Sequence, residues 1–154
     1  MAAGFSLRAE RVEEFRVFLN ERLAAACALP DAAALTVEAT VTVGGATTDL
    51  ARQLERLAPF GAGNPEPMLV LHRARVVRAD RVGKEANSIR AFVEGEGGGS
   101  RLKAMLFRAG QGALADALLA RGSGVALHLA GNLRAEEWNG SVNPCFVIAD
   151  AAVA

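Results

Sequence analysis

The chain has 154 residues, with 17 Lys or Arg balanced by 17 Asp or Glu, so its formal net charge is zero. This balance excludes a protein that binds nucleic acid through overall positive charge alone. The length suits one domain with at most a small appendage. No apolar run reaches the ~20 residues of a membrane helix, and the N-terminus lacks a signal-peptide pattern, so we expect a cytoplasmic protein that does not enter a membrane.

The first third of the chain predicts a helix, a strand and a second helix. Apolar residues recur at three- and four-residue steps over 8–28, which predicts an amphipathic helix whose apolar face needs a partner. Strict alternation over 35–43 predicts a half-buried strand. Thr47 or Thr48 can cap the second helix, which presents Leu50, Leu54 and Leu57 on one face.

The rest of the chain has the period-two pattern of strands. We predict strands over 68–79, 87–94, 101–108, 124–133 and 142–150, with a helix over 111–120 between the third and the fourth. Asn139-Gly140 predicts a tight hairpin turn, and Pro144 indicates an edge position or a bulge in the last strand. The predicted fold class is therefore α+β, with an N-terminal helix, strand and helix leading into a five-stranded OB-like β-barrel.

The second and third barrel strands carry the candidate binding residues. OB-folds bind single strands on this face, and alternation places Arg90 and Phe92, then Lys103 and Phe107, on one side. Between residues 73 and 108, nine Arg or Lys stand against four Asp or Glu, a local excess of five positive charges. Cations interleaved with aromatic rings suit single-stranded nucleic acid. The predicted nucleic-acid-binding residues are Arg73, Arg75, Arg81, Lys84, Arg90, Phe92, Lys103, Phe107 and Trp138.

In the alternative interpretation, this face does not bind nucleic acid. The side chains of Phe92 and Phe107 then point into the barrel core, and the arginines are simply exposed to solvent. No catalytic constellation is recognisable, because His72 and His128 have no acid partner at metal-ligand spacing. Cys27 and Cys145 match no metal-ligand pattern either, which favours two small buried hydrophobes in a reducing compartment.

A proline- and glycine-rich segment separates the second helix from the barrel. Three of the five prolines lie within nine residues here, and each fixes φ and removes a backbone donor. The composition predicts a rigid connector, which on physical grounds need bind no ligand. Its residues are Pro59, Phe60, Gly61, Gly63, Asn64, Pro65, Glu66 and Pro67.

The stretch from Leu54 to Pro67 resembles the junction segment of the RecJ family of single-stranded-DNA-specific exonucleases. Met1-Ala2-Ala3-Gly4 also resembles the end of that family's Gly-Gly-His-x-Met-Ala-Ala-Gly motif. The resemblance implies that residues 1–30 are the last helix of a truncated DHH-associated domain, 31–58 a connecting strand and helix, and 59–154 an OB domain that binds single-stranded DNA.

The family implies a function in DNA repair and recombination, the 5′-to-3′ hydrolysis of single-stranded DNA with Mn²⁺ or Mg²⁺. The metal is held by Asp and His residues of a DHH domain, and none of these ligands can be matched here. We therefore expect a C-terminal fragment that is inactive alone, holds no metal or other cofactor, binds single-stranded DNA, and works with a catalytic portion in cis or in trans. Asn87-Ser88 and Asn143-Pro144 depart from the family pattern in detail. The alternatives are an OB-like protein-interaction module and a non-functional gene remnant.

Overall fold

The computed structural model describes residues 6–26, 34–120 and 125–154. The chain divides into two units, Met1–Leu35 and Thr36–Ala154. In the first unit a turn of 3₁₀-helix, Ala9–Arg11, continues into α1, Val12–Ala26. This confirms the predicted N-terminal helix, whose last residues, 27 and 28, lie outside the described part of the chain.

The described residues of the second unit form six strands, two α-helices and a 3₁₀ turn, Val43–Gly45. In chain order the strands and α-helices are β1 (Ala39–Val41), α2 (Thr48–Glu55), β2 (Leu69–Val82), β3 (Ser88–Glu94), β4 (Arg101–Leu106), α3 (Ala113–Leu119), β5 (Ala126–Trp138) and β6 (Ser141–Val153). The hydroxyl of Thr47 accepts a hydrogen bond from the backbone N–H of Leu50 and caps α2, as predicted. Leu57 lies beyond the end of α2 and is exposed, so its place on the apolar face was predicted wrongly.

Strands β2 to β6 close into the predicted barrel. β2, β3 and β4 pair antiparallel in sequence. β4 then pairs parallel with β6, β6 antiparallel with β5, and β5 antiparallel with β2. With α3 between the third and fourth barrel strands, this is the connectivity of an OB-fold.

The alternation in β3, and in β4 as far as Ala104, places one face in the core as the sequence predicts, but Met105, on the other face of β4, is buried too. Ile89, Ala91 and Val93 are fully buried, while the residues between them are half-buried on the outer face. Phe146 of β6 is the largest fully buried side chain. In α3 the pattern holds only partly, because Ala115 is buried and Ala117, predicted on the apolar face, is exposed.

β1 is much shorter than the predicted strand over 35–43, and residues 35–40 are exposed rather than half-buried. It pairs in parallel with the first three residues of β2, starting from Ala39 opposite Leu69. One more backbone hydrogen bond precedes this ladder, from the N–H of Glu38 to the carbonyl oxygen of Met68, and the N–H of Met68 donates to Oε2 of Glu38. Pro67, the residue before Met68, has no N–H to donate to the ladder. A proline-rich connector therefore limits the strand that pairs beside it.

The β5–β6 hairpin confirms the predicted turn. Trp138 pairs with Ser141, and the two residues between them, Asn139 and Gly140, have φ of 50° and 75°, which is the geometry of the Asn-Gly turn. Pro144 occupies an edge-like position, because the pairing of β6 with β4 starts one residue later, at Cys145.

Candidate nucleic-acid interface

A groove of about 550 Å³ runs over the outer face of the barrel. It is formed by residues of β2, β3 and β4 together with the ends of β5 and β6 that lie next to their hairpin turn. Its walls are Val77, Arg78, Phe92, Arg101, Lys103, Glu136, Asn143 and Pro144. Two of the predicted binding residues, Phe92 and Lys103, lie in it.

Phe92 occupies the middle of this face. In the strand register it is opposite Arg78 of β2 on one side and Lys103 of β4 on the other. Directly opposed residues on one face have Cβ atoms about 4.5–5.5 Å apart. The half-buried ring therefore has a cationic side chain on each neighbouring strand, and it does not enter the core.

The three cations of the groove each form an ion pair. Nζ of Lys103 donates to Oε2 of Glu136 at 2.7 Å, and Nε of Arg78 to Oδ2 of Asp80 at 2.7 Å. Nε of Arg101 donates to Oε1 of Glu94 at 2.6 Å. These acids offset much of the local positive charge that the sequence indicates for this face.

Glu136 is the acid that projects from the far wall of the groove. The pKa of its carboxyl is lowered, chiefly by the hydrogen bond from Lys103, so it is ionised at neutral pH. The fully buried Cys145 is opposite Lys103 in the strand register, and burial raises the pKa of its thiol to about 12. A protonated thiol can donate, and its hydrogen bond to Glu136 further lowers the pKa of that carboxyl.

Arg90 and Arg75 lie on the same sheet but do not line the groove. Arg90 is half-buried on β3 opposite Met105, and its Nε is buried without a hydrogen-bond partner. Arg75 is exposed on β2 opposite Glu94. Both extend the cationic surface along the strands.

The other predicted binding residues lie elsewhere. Arg73 has a φ of 50° where β2 bends, and its Nε lies 2.6 Å from Oε1 of Glu96 in a separate cleft. Lys84 is exposed in the β2–β3 turn, and Phe107, 50% exposed, follows the end of β4. The side chain of Trp138 lies outside what the structure describes. The binding role of these residues stays a prediction.

Arg81 holds two loops together. Its terminal nitrogens donate to the carbonyl oxygens of Ala86, at 3.3 Å, and Gly110, at 2.9 Å. These carbonyls belong to the β2–β3 loop and to the segment after β4. The contacts give Arg81 a structural role in addition to the predicted one.

The other six residues that line the groove are not among the predicted binding residues: Val77, Arg78, Arg101, Glu136, Asn143 and Pro144. The position of Asn143 beside Glu136 could have been predicted from the sequence, because a two-residue turn at Asn139-Gly140 places residue 136 opposite residue 143. The contact between Glu136 and Lys103 could not have been predicted in this way, since it depends on the parallel pairing of β4 with β6.

The proline-rich connector is fixed at both ends. The side-chain amide of Asn64 donates to the carbonyl oxygens of Leu57, at 2.9 Å, and Pro59, at 3.1 Å. Glu66 accepts two hydrogen bonds from the guanidinium of Arg134 on β5, at 2.8 and 2.5 Å. The predicted rigid connector is therefore attached to the barrel wall by a bidentate ion pair.

Within residues 6–26, 34–120 and 125–154, no group of three or more His, Cys, Asp or Glu could hold a metal ion. The rings of His72 and His128 are neighbours, with centroids 4.6 Å apart, but no described carboxylate joins them in such a group. The described residues therefore do not fit a Mn²⁺ or Mg²⁺ site. No described helix is long and apolar enough to cross a membrane.

Comparisons with known proteins agree with this architecture. The family model described as the RecJ OB domain matches residues 37–150. The chain is 28% identical over 156 residues to the single-stranded-DNA-specific exonuclease RecJ of Bacillus subtilis (strain 168), covering 99% of this chain and 19% of that protein.

Two solved structures share the fold. RecJ from Thermus thermophilus in complex with Mn²⁺ matches with a TM-score of 0.58 and 21% identity, over 97% of this chain and 20% of that one. The same protein in complex with Mg²⁺ matches with a TM-score of 0.57 and 23% identity, over 96% and 21%. The chain thus spans about a fifth of the length of the relatives it matches.

Proposed function

Because this chain belongs to the family of RecJ OB domains, we propose that its barrel binds single-stranded DNA in the groove around Phe92. One observation carries the proposal: an outward-facing aromatic ring is opposed on both neighbouring strands by cations, Arg78 and Lys103. A base can stack on the ring while the cations contact the phosphates on either side. Stacking accepts any base, so binding would be independent of sequence.

We propose that the wider role is to guide DNA in a RecJ-like 5′-to-3′ exonuclease. The Bacillus subtilis relative is named a single-stranded-DNA-specific exonuclease, which supports this role. Hydrolysis would belong to a catalytic portion, in cis or in trans, that holds the Mn²⁺ or Mg²⁺ with which the Thermus structures were solved. Alone, the chain should release no nucleotides from a labelled single strand supplied with either metal.

The binding test is fluorescence anisotropy with a labelled single-stranded oligonucleotide and its duplex. We expect preference for the single strand. Three phosphate contacts would weaken binding about 20-fold between roughly 50 and 200 mM salt, from a slope of about −0.7 per contact. A chain that binds neither DNA at low salt would refute the proposal.

Phe92→Ala tests the stacking site directly. Loss of one stacked base weakens binding by about 1–3 kcal/mol, or about 5- to 150-fold. Phe18→Ala is the matched control, because it removes an exposed ring of α1 that does not line the groove and is not among the predicted binding residues. Circular dichroism verifies that both variants fold. Equal affinity of Phe92→Ala and the unsubstituted chain would exclude this groove as the binding site.

A protein partner is the second candidate, and the pairing of every groove cation with an acid favours it. A groove that is nearly neutral attracts a polyanion weakly. Binding to a protein, insensitive to salt and lost in Phe92→Ala, would support this function in place of DNA binding.

A further inference from the structure

We infer that Glu136 limits the affinity of the groove for DNA, because its carboxylate is already bound to the ammonium group of Lys103, with which a DNA phosphate would have to pair. The inference rests on the proposed function and names the residue that regulates it. Lys103 and Glu136 are each 37% exposed, and their 2.7 Å ion pair lies at the open surface of the groove. A strand that enters therefore meets a lysine that is already bound.

The other two ion pairs of the groove differ in their chemistry. Arg78 and Arg101 both hold their acids through Nε. A guanidinium has two more nitrogens, in a fixed fork, so it can keep a carboxylate on one side and take a phosphate on another. The compact ammonium of Lys103 would bring both anions to one nitrogen, where they repel each other.

Glu136 also cannot simply move away. It lies within β5, opposite Asn143 across the hairpin, and its side chain forms part of the groove wall. The carboxylate therefore stays in the groove as a fixed negative charge. A phosphate at Lys103 has to break one ion pair and tolerate that charge nearby.

Glu136→Gln removes the charge and keeps the shape of the side chain. Glu137→Gln is the matched control, because it makes the same charge change one residue along β5 on an exposed side chain that does not line the groove. If Glu136 competes with phosphate, Glu136→Gln should bind the labelled single strand about three- to five-fold more tightly. This is the upper half of the roughly 1.4- to 5-fold range of exposed ion pairs, because this pair is only partly exposed. Glu137→Gln should change affinity less than about two-fold, as an exposed charge screened by salt does.

Lys103→Arg tests the same inference without changing any charge. The guanidinium can hold Glu136 and a phosphate at once, so this variant should also bind more tightly than the unsubstituted chain. A urea unfolding curve for each variant shows that the barrel is intact. Weaker binding by Lys103→Arg would contradict the argument from donor geometry.

The outcomes separate the two proposals. Tighter binding by Glu136→Gln than by Glu137→Gln supports the inference. If the unsubstituted chain binds single-stranded DNA and Glu136→Gln binds equally or less tightly, the inference is refuted while the proposed function stands. If none of the chains binds single-stranded DNA, the proposed function is wrong and the inference falls with it.

Discussion

Gly131→Ala should destabilise the barrel at a point where the backbones of β5 and β6 approach closely. The register of the two strands shifts between Ala130 and Gly131. A Cβ built on Gly131 would overlap the carbonyl oxygen of Val147 and lie 2.8 Å from Cε1 of Phe146. One obstacle is strand backbone and the other is the largest fully buried side chain, so neither can yield without opening the sheet.

We expect Gly131→Ala to lower the free energy of unfolding by about 3 kcal/mol, the upper end of the range for overpacked cores. With a urea dependence of about 2 kcal/mol per molar, this lowers the unfolding midpoint by about 1.5 M. The measurement is urea unfolding followed by far-UV circular dichroism. A domain of ordinary stability, about 5–15 kcal/mol, survives such a loss and still gives a measurable curve.

Gly97→Ala is the matched control, because an added Cβ at Gly97 meets nothing within 4 Å. It should leave the midpoint within about 0.3 M, since surface substitutions usually change stability by less than about 0.5 kcal/mol. If Gly131→Ala unfolds at the same urea concentration as Gly97→Ala, the reasoning from close approach is refuted.

Three further outcomes are expected. In a Cys27→Ser background, the thiol of Cys145 should react with a disulfide reagent at pH 8 at least about 1000-fold more slowly than in urea-unfolded chain, because its pKa of about 12 leaves almost no thiolate; comparable rates would contradict its burial. Asn64→Ala should lower the melting temperature by about 4–8 °C through the loss of two hydrogen bonds worth about 1 kcal/mol each, and an unchanged temperature would show that the connector is held by other contacts. Arg81→Ala should destabilise the fold by about 1–2 kcal/mol because it releases two loop carbonyls, whereas the exposed Lys84→Ala should not; equal urea midpoints would disprove the structural role of Arg81.

The fold could be predicted because the barrel strands have one face towards solvent and one face towards the core. Period-two alternation identifies which side of β3 and β4 enters the core, and the Asn139-Gly140 pair fixes the hairpin register. The length of β1 could not be predicted from its own residues. It depends on prolines that lie next to it in space and about 30 residues away in the chain.

The binding face was predicted less well, and the reason is electrostatic. Counting charges between residues 73 and 108 gives an excess of cations, but Glu136 comes from a strand outside that window. Its contact with Lys103 requires β6 to lie beside β4, a pairing between segments about 40 residues apart. Whether a lysine is available for a phosphate is thus a property of the assembled barrel.

The way the barrel closes has a consequence for the order of folding. β2–β3–β4 and β5–β6 are joined by short turns, so each can form from local contacts. The pairings of β2 with β5 and of β4 with β6 join segments that are far apart in the chain. Their formation therefore costs more chain entropy than that of the local hairpins. The groove takes one wall from each part, with Phe92 and Lys103 on the first and Glu136 on the second. We therefore expect its surface to be completed only when the β2–β5 and β4–β6 pairings form, after the local hairpins.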